Sequence, residues 1–189
     1  MEAFLVSVGV VALAEIGDKT QLLALVLAAR FQRPWPIIWG ILVASLANHG
    51  LAGVVGVWAA SLVSPELIRW ILGISFLAMA IWLLVPDELD GETSLPDYGV
   101  FGTTLVAFFL AEMADKTQVA TIALAAQFQS TVLVVLGTTL GMLIANVPAV
   151  LIGDKAARNL PIRTVHAVAA AIFALLGLAI LWGVGAPSN

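Results

Sequence analysis

The heptapeptide EIGDKTQ occupies residues 15–21, and its near copy EMADKTQ occupies residues 112–118. Each copy lies in the middle of a long apolar stretch, where charged side chains are unexpected. An ionisable residue at the centre of a membrane helix costs roughly 2.5–3.5 kcal/mol on insertion scales, and such residues usually have a function. Three charged residues in each of two apolar stretches therefore predict a binding site for a charged substrate.

The composition is that of a membrane protein. Of the 189 residues, 61% are hydrophobic and 11% are charged, whereas soluble domains have about 45–50% apolar and about 25% charged residues. The apolar stretches are too long for the strands of a membrane barrel. The absence of cysteine excludes disulfides, iron–sulfur clusters and thiolate metal sites. We expect an all-α integral membrane protein that needs no cofactor.

The apolar stretches predict six transmembrane helices, at residues 4–29, 36–63, 65–85, 98–126, 130–153 and 163–184. A span needs about 20 residues, so the first, second and fourth helices are long enough to tilt, kink or break. Gly17 permits a local break in the first heptapeptide. Ala114 replaces that glycine in the second heptapeptide, which makes a matching break less expected.

The six predicted helices form two repeats. Glu15 and Glu112 are 97 positions apart, as are Gly40 and Gly137, and two asparagines (Asn48 and Asn146) are 98 apart. Because each half holds three helices, an odd number, the second half must enter the membrane from the opposite side. Inverted repeats of this kind are typical of secondary transporters, whose substrate site lies at the midplane between the halves.

The expected domains are a first three-helix repeat at residues 1–86, an acidic linker at 87–97 and a second, inverted repeat at 98–189. Lysine and arginine outside the helices concentrate on the cytoplasmic side. One face would carry five of them, Arg30, Arg33, Lys155, Arg158 and Arg163, and the other face only Arg69. We therefore expect the first face and the linker to be cytoplasmic, and both termini to lie outside the cytoplasm.

The two heptapeptides supply four carboxylates, on Glu15, Asp18, Glu112 and Asp115. Carboxylate, carbonyl and water oxygens are the ligands that calcium, magnesium and manganese prefer. The candidate metal ligands are these four carboxylates and four side-chain amides, those of Gln21, Gln118, Asn48 and Asn146. The residues expected to adjust the charge or add hydroxyl oxygens are Lys19, Lys116, Thr20 and Thr117.

On a continuous helix, Glu15, Asp18 and Lys19 would share one face, and Thr20 and Gln21 would point away from Glu15. The polar residues would then surround most of the helix. Such a helix cannot face lipid at this level, so it must be enclosed by protein or unwound locally.

The charges of the two heptapeptides suggest what the site exchanges. Four ionised carboxylates and two lysines give a net charge of −2, which one divalent cation or two protons would neutralise. Carboxylates packed this closely titrate as a coupled set. We therefore expect the same four carboxylates to bind the metal and to carry protons, so that metal and protons compete and exchange without net movement of charge.

Other interpretations of the same residues are less specific. The charged heptapeptides could be structural ion pairs, the acidic ring could form a passive cation channel, or the chain could be a scaffold that uses its acidic linker. The two asparagines could join helices by hydrogen bonds instead of binding metal. His49 is expected to be structural and His166, near a predicted helix end, to lie at the membrane interface. An enzyme is not expected, because no nucleophile is paired with a histidine base and no nucleotide-binding loop is present.

Two copies of E-x-G-D-K/R-T/S in opposed three-helix halves resemble a family of cation–proton antiporters, which includes the Golgi manganese/calcium transporter, chloroplast manganese transporters and bacterial manganese exporters. The resemblance covers the whole chain. By this resemblance, the first motif corresponds to Glu15, Asp18, Lys19 and Thr20, and the second to Glu112, Asp115, Lys116 and Thr117. Ala114 departs from the motif, which has glycine there.

The resemblance implies export of Mn²⁺ from the cytoplasm, driven by protons moving inward, with Ca²⁺/H⁺ exchange as the alternative. It also implies a bacterial inner membrane as the location. The expected partners are a divalent metal ion, protons and the lipid bilayer, and no nucleic acid.

Overall fold

The computed structural model describes residues 1–85, 98–152 and 162–183. These residues form eight helices and no strand: α1 Glu2–Glu15, α2 Lys19–Phe31, α3 Pro34–Ser61, α4 Pro65–Trp82, α5 Gly99–Glu112, α6 Lys116–Phe128, α7 Thr131–Ile152 and α8 Ile162–Leu181. The predicted linker lies outside the described residues, as do Lys155 and Arg158.

Two of the six predicted helices are each divided into two. The helix predicted at 4–29 is α1 followed by α2, and the helix predicted at 98–126 is α5 followed by α6. The other four predictions correspond to α3, α4, α7 and α8, and no end differs by more than three residues. An interruption was expected in the first heptapeptide, and it occurs in both.

The chain is an integral membrane protein. Among the described residues, α3, α4, α7 and most of α8 are long and apolar enough to cross a membrane, and α5 is a shorter apolar helix. The burial pattern is the reverse of a soluble protein, since residues such as Leu51 and Trp58 are about 60% exposed while the acidic residues of the heptapeptides are buried. An apolar exterior around a polar interior is the arrangement that a bilayer requires.

Local sequence signals set where these helices begin and end. Pro34 and Pro65 stand at the first positions of α3 and α4, where proline is favoured because its missing N–H would have no helical partner. The Ser64 hydroxyl accepts a hydrogen bond of 3.3 Å from the Leu67 N–H at the start of α4. At the other ends of α2 and α6, Gln32 and Gln129 adopt left-handed conformations, and they are 97 positions apart.

Close helix packing recurs at positions 97 apart. α1 packs against α7, and α5 packs against α3. A Cβ added at Gly137 of α7 would lie 2.6 Å from the Phe4 carbonyl oxygen, and one added at Gly40 of α3 would lie 3.1 Å from the Phe101 carbonyl oxygen. In both helix pairs, the missing side chain lets the two backbones approach each other, as small residues do at membrane helix interfaces.

α4 and α8 pack against each other through residues that are also 97 positions apart. The rings of Phe76 and Phe173 have centroids 5.8 Å apart and are tilted by 42°, an arrangement that aromatic pairs favour. Both rings are fully buried. A residue of one half thus packs against its own counterpart in the other half.

Replacing Gly137 with alanine should destabilise the fold. The new methyl would meet backbone at 2.6 Å, so the α1–α7 contact must open, at a cost of about 1–3 kcal/mol typical of overpacking. The matched control is Gly50→Ala, because a Cβ at Gly50 meets nothing within 4 Å. Thermal unfolding of the purified protein should show a lower Tm for Gly137→Ala than for Gly50→Ala, and equal values would contradict the close approach.

Candidate cation site

The two heptapeptides break their helices in the same way. α1 ends at Glu15 and α2 begins at Lys19, and the segment between them is extended at Ile16 and has a positive φ of 85° at Gly17. Likewise, α5 ends at Glu112, Met113 is extended, and Ala114 has a φ of 62°. In each copy the glutamate is therefore the last residue of one helix, and the aspartate immediately precedes the next.

The expectation that Ala114 would resist a matching break is wrong. Alanine at positive φ is disfavoured by roughly 1–2 kcal/mol, yet Ala114 adopts the same region as Gly17. The hydrogen bond of 2.8 Å that the Ala114 N–H donates to the Gln118 side-chain oxygen offsets part of this cost. The asymmetry between glycine and alanine therefore does not produce an asymmetry of backbone shape.

Glutamine side chains close both breaks. The Gln21 side-chain oxygen accepts a hydrogen bond of 3.0 Å from the Gly17 N–H, and the Gln118 side-chain oxygen accepts one of 2.8 Å from the Ala114 N–H. Exposed peptide groups at membrane depth must find partners within the protein. The last residue of each heptapeptide therefore stabilises the break that its own heptapeptide creates.

Of the two arrangements expected for the first heptapeptide, a helix enclosed by protein and a locally unwound segment, the structure has the unwound segment. Residues 16–18 are not helical, so Glu15, Asp18 and Lys19 do not share a helical face. Thr20, which a helix would turn away from Glu15, instead donates a hydrogen bond of 2.6 Å from its hydroxyl to the Glu15 carboxylate.

The lysines pair with aspartates of the opposite heptapeptide. Lys19 Nζ lies 3.0 Å from Asp115 Oδ1, and Lys116 Nζ lies 3.1 Å from Asp18 Oδ1. These crossed ion pairs join the two breaks to each other. Their surroundings differ, since the Lys116 side chain is 2% exposed and the Lys19 side chain 27%.

Three carboxylates converge beside the crossed pairs. Glu15, Glu112 and Asp115 can each bring one oxygen to within 4.8 Å of the others. All three residues are buried. Oxygens gathered within this distance from two chain segments can surround a single hard cation.

The two glutamates differ in their hydrogen bonds. Glu15 accepts from the hydroxyls of both Thr20 and Thr117, so each heptapeptide supplies one donor. Among the described residues, neither carboxylate oxygen of Glu112 has a hydrogen-bond partner. A buried carboxylate in this state is costly and has its oxygens available for a cation or a proton.

The four amide candidates have different contacts. Gln118 donates from its side-chain nitrogen to the Asn48 side-chain oxygen, and Gln21 donates to the Ala145 carbonyl oxygen at 3.0 Å. Positions 48 and 145 are 97 apart, so the contact counterpart of Asn48 is Ala145 rather than Asn146. The Asn146 side-chain oxygen is buried without a hydrogen-bond partner among the described residues.

Comparison with known proteins identifies the family of this chain. Residues 3–91 and residues 100–187 each match the family described as "Divalent cation/proton antiporter GDT1", and the two matches begin 97 positions apart. The chain belongs to the GDT1 family. A protein of Vibrio cholerae serotype O1 named "Putative manganese exporter" is 51% identical over 180 residues, which cover 95% of this chain and 90% of that protein.

A "GDT1-like protein" of Synechocystis sp. is 26% identical over 216 residues, covering 96% of this chain and 98% of that protein. No solved structure matches the chain. The family resemblance inferred from the paired motifs is therefore confirmed. Its members are antiporters, which agrees with a transporter and not an enzyme.

Both histidines of this GDT1 protein are buried. His49 in α3 has no hydrogen-bond partner for either ring nitrogen among the described residues. His166, which was expected at the membrane interface because it is near a helix end, is 8% exposed. Its Nε2 lies 2.8 Å from the Ile16 carbonyl oxygen in the first break. The motif pattern alone did not indicate this contact, because His166 is 150 positions from Ile16.

Removing Lys116 should destabilise the protein more than removing Lys19. Lys116→Met leaves Asp18 charged in a fully buried site, which costs about 3 kcal/mol or more. Lys19→Met also leaves a buried aspartate, Asp115, but it removes a lysine whose side chain is 27% exposed, so a smaller loss is expected. The free energy of unfolding of the purified variants measures both effects.

The double variant Lys116→Met/Asp18→Asn provides the control for this comparison. Replacing both partners removes the uncompensated charge, so this variant should recover much of the stability lost in Lys116→Met. Equal destabilisation by the two lysine substitutions, or no recovery in the double variant, would contradict the crossed pairing.

Proposed function

We propose that this chain exports Mn²⁺ from the cytoplasm of a bacterial cell, across the inner membrane, in exchange for protons. The GDT1 family supports divalent cation/proton antiport. The name of the Vibrio cholerae relative supports manganese as the ion and export as the direction. The single observation that carries the proposal is the buried Glu112 carboxylate, unpartnered among the described residues and within reach of Glu15 and Asp115.

The proposed architecture has six membrane crossings in two inverted three-helix repeats. α1 and α2 have 14 and 13 residues, about 20 Å each at a 1.5 Å rise, so together they can cross a hydrocarbon core of about 30 Å as one interrupted span. α5 and α6 have the same lengths. The matching contacts at positions 97 apart support two structural repeats with the same helix arrangement. Both termini would then lie outside the cytoplasm.

The crossed ion pairs assign the uncompensated charge to two residues. Lys19 is paired with Asp115 and Lys116 with Asp18, so the net charge of −2 remains on Glu15 and Glu112. One divalent cation or two protons would neutralise these glutamates. We propose that the two glutamates bind one Mn²⁺ and two protons in turn. This would exchange one Mn²⁺ for two protons without net charge movement.

The proposed ligands of the transported ion are carboxylates of both halves. Glu15, Glu112 and Asp115 would each supply one oxygen, with Asp18 completing the set of acidic residues. Thr20 and Thr117 would orient Glu15 through their hydroxyls. Among the amide candidates, the oxygens of Gln21, Gln118 and Asn48 accept hydrogen bonds, whereas the Asn146 oxygen has no partner among the described residues. Asn146 is therefore the amide we propose as a neutral ligand.

Ca²⁺/H⁺ exchange is the second candidate, because the ligand set consists of oxygen atoms. Calcium and manganese both accept carboxylate and carbonyl oxygens. Parallel transport assays with the two ions would separate these functions. A passive channel through the same acidic ring would conduct either ion down its gradient but would not move it uphill when a proton gradient is imposed.

The Glu112→Gln variant should lose Mn²⁺ transport by at least about 100-fold in proteoliposomes. It keeps the size of the side chain but removes the charge that the cation requires. Removing a residue that only hydrogen-bonds to a metal ligand typically lowers metal affinity or activity about 10–100-fold, and removing a ligand itself should cost at least as much. Uptake of Mn²⁺ driven by an imposed proton gradient, with the pH inside the vesicles recorded at the same time, measures both substrates.

Glu66→Gln is the matched control, because Glu66 lies in the first turn of α4, outside the site. It should transport at the rate of the unsubstituted protein. Retained proton-driven transport by Glu112→Gln would overturn the assignment of this residue. Mn²⁺ flux without proton flux in the unsubstituted protein would overturn the antiport mechanism.

A further inference from the structure

A side chain from outside both heptapeptides contacts the first break. His166 lies in the second turn of α8, and its Nε2 is 2.8 Å from the carbonyl oxygen of Ile16. α8 packs against α1, and His166 is buried. The last helix of the second half thus reaches the segment that separates α1 from α2.

The hydrogen bond has a defined direction. A carbonyl oxygen can only accept, so Nε2 must carry the hydrogen and donate it. Ile16 lies in the extended segment after α1, where its carbonyl has left the helical hydrogen-bond pattern. At membrane depth, water cannot replace a missing donor, so the protein must supply one.

We propose that His166 is a positioning residue for the cation site. By holding the Ile16 peptide group, it fixes the break immediately after Glu15, and so fixes the direction in which the Glu15 carboxylate enters the site. The role in transport rests on the proposed function, whereas the role in holding the break does not.

The corresponding position of the first half carries a different residue. Position 69, which is 97 before His166, is Arg69 in α4. Its guanidinium carbon lies 6.0 Å from the centre of the Trp70 ring, and its Nε has no hydrogen-bond partner among the described residues. Met113, the counterpart of Ile16, is 51% exposed. The His166 contact therefore distinguishes the first break from the second.

Two substitutions of His166 with side chains of similar size distinguish the effect of its hydrogen bond from the effect of its packing. His166→Gln keeps an N–H donor at nearly the same reach, and His166→Met fills similar space without a donor. Hydrogen–deuterium exchange of the full-length protein, followed by mass spectrometry, measures the protection of backbone amides at both breaks. The measurement requires neither metal nor transport.

His166→Met should raise exchange at residues 17–22 about five- to tenfold, as expected from the loss of one hydrogen bond. Exchange at residues 114–119 should stay unchanged. His166→Gln should restore the slow exchange at the first break. Arg69→Ala is the positional control and should leave both segments unchanged.

Transport provides the second measurement. His166→Met should raise the KM for Mn²⁺ about tenfold, the effect of losing a residue that supports a metal ligand, and change kcat much less. His166→Gln should return KM toward its original value.

Unchanged exchange at residues 17–22 in His166→Met would overturn this role. So would equal changes at both breaks, or a failure of His166→Gln to restore slow exchange at the first break. If exchange follows the prediction but the unsubstituted protein transports no Mn²⁺, the positioning role stands and the proposed function falls. If Mn²⁺ transport is confirmed but hydrogen–deuterium exchange does not change in His166→Met, the proposed function stands and the positioning role falls.

Discussion

Short non-helical segments separate α1 from α2 and α5 from α6, and the peptide groups freed there need partners inside the protein, because an apolar environment offers none. Gln21 and Gln118 meet this constraint locally by accepting from the N–H groups of Gly17 and Ala114. The same side chains donate across the structure, to the Ala145 carbonyl and to Asn48. Each break is thereby held by its own glutamine and joined through the same side chain to a long helix of the opposite half.

The crossed ion pairs extend this dependence to the charges. If each lysine neutralised the aspartate of its own heptapeptide, the two motifs would be independent units. Because Lys19 meets Asp115 and Lys116 meets Asp18, the breaks are held next to each other and the two glutamates are left facing the same space. The lysines therefore explain both how the site is assembled and why its charge suits a divalent ion. The unequal exposure of the two lysines shows that the two sides of the site are not equivalent in this conformation.

Much of this could be predicted from the sequence, because the apolar stretches and the repeated heptapeptide are strong signals. These signals predicted the helical class, the family and the convergence of Glu15 and Glu112. They also predicted the positions of four helices, α3, α4, α7 and α8. The break at Ala114 could not be predicted from propensity, since its left-handed backbone accompanies the hydrogen bond from its N–H to Gln118, which residue propensity does not register. The partner of each lysine depends on how the halves face each other, which spacing along one helix does not reveal. The contact of His166 with Ile16 could not be predicted because the acceptor is a backbone carbonyl, and every residue type carries one.

The central claim is that Glu15 and Glu112 hold either one Mn²⁺ or two protons. The most direct test is the equilibrium that the protein sets in proteoliposomes with Mn²⁺ and pH gradients of opposite driving force, measured with and without a membrane potential. Exchange of one Mn²⁺ for two protons predicts that net flux stops when the Mn²⁺ ratio equals the square of the proton ratio, and that a membrane potential does not move this point. A balance point that shifts with membrane potential, or one that follows the first power of the proton ratio, would contradict the account.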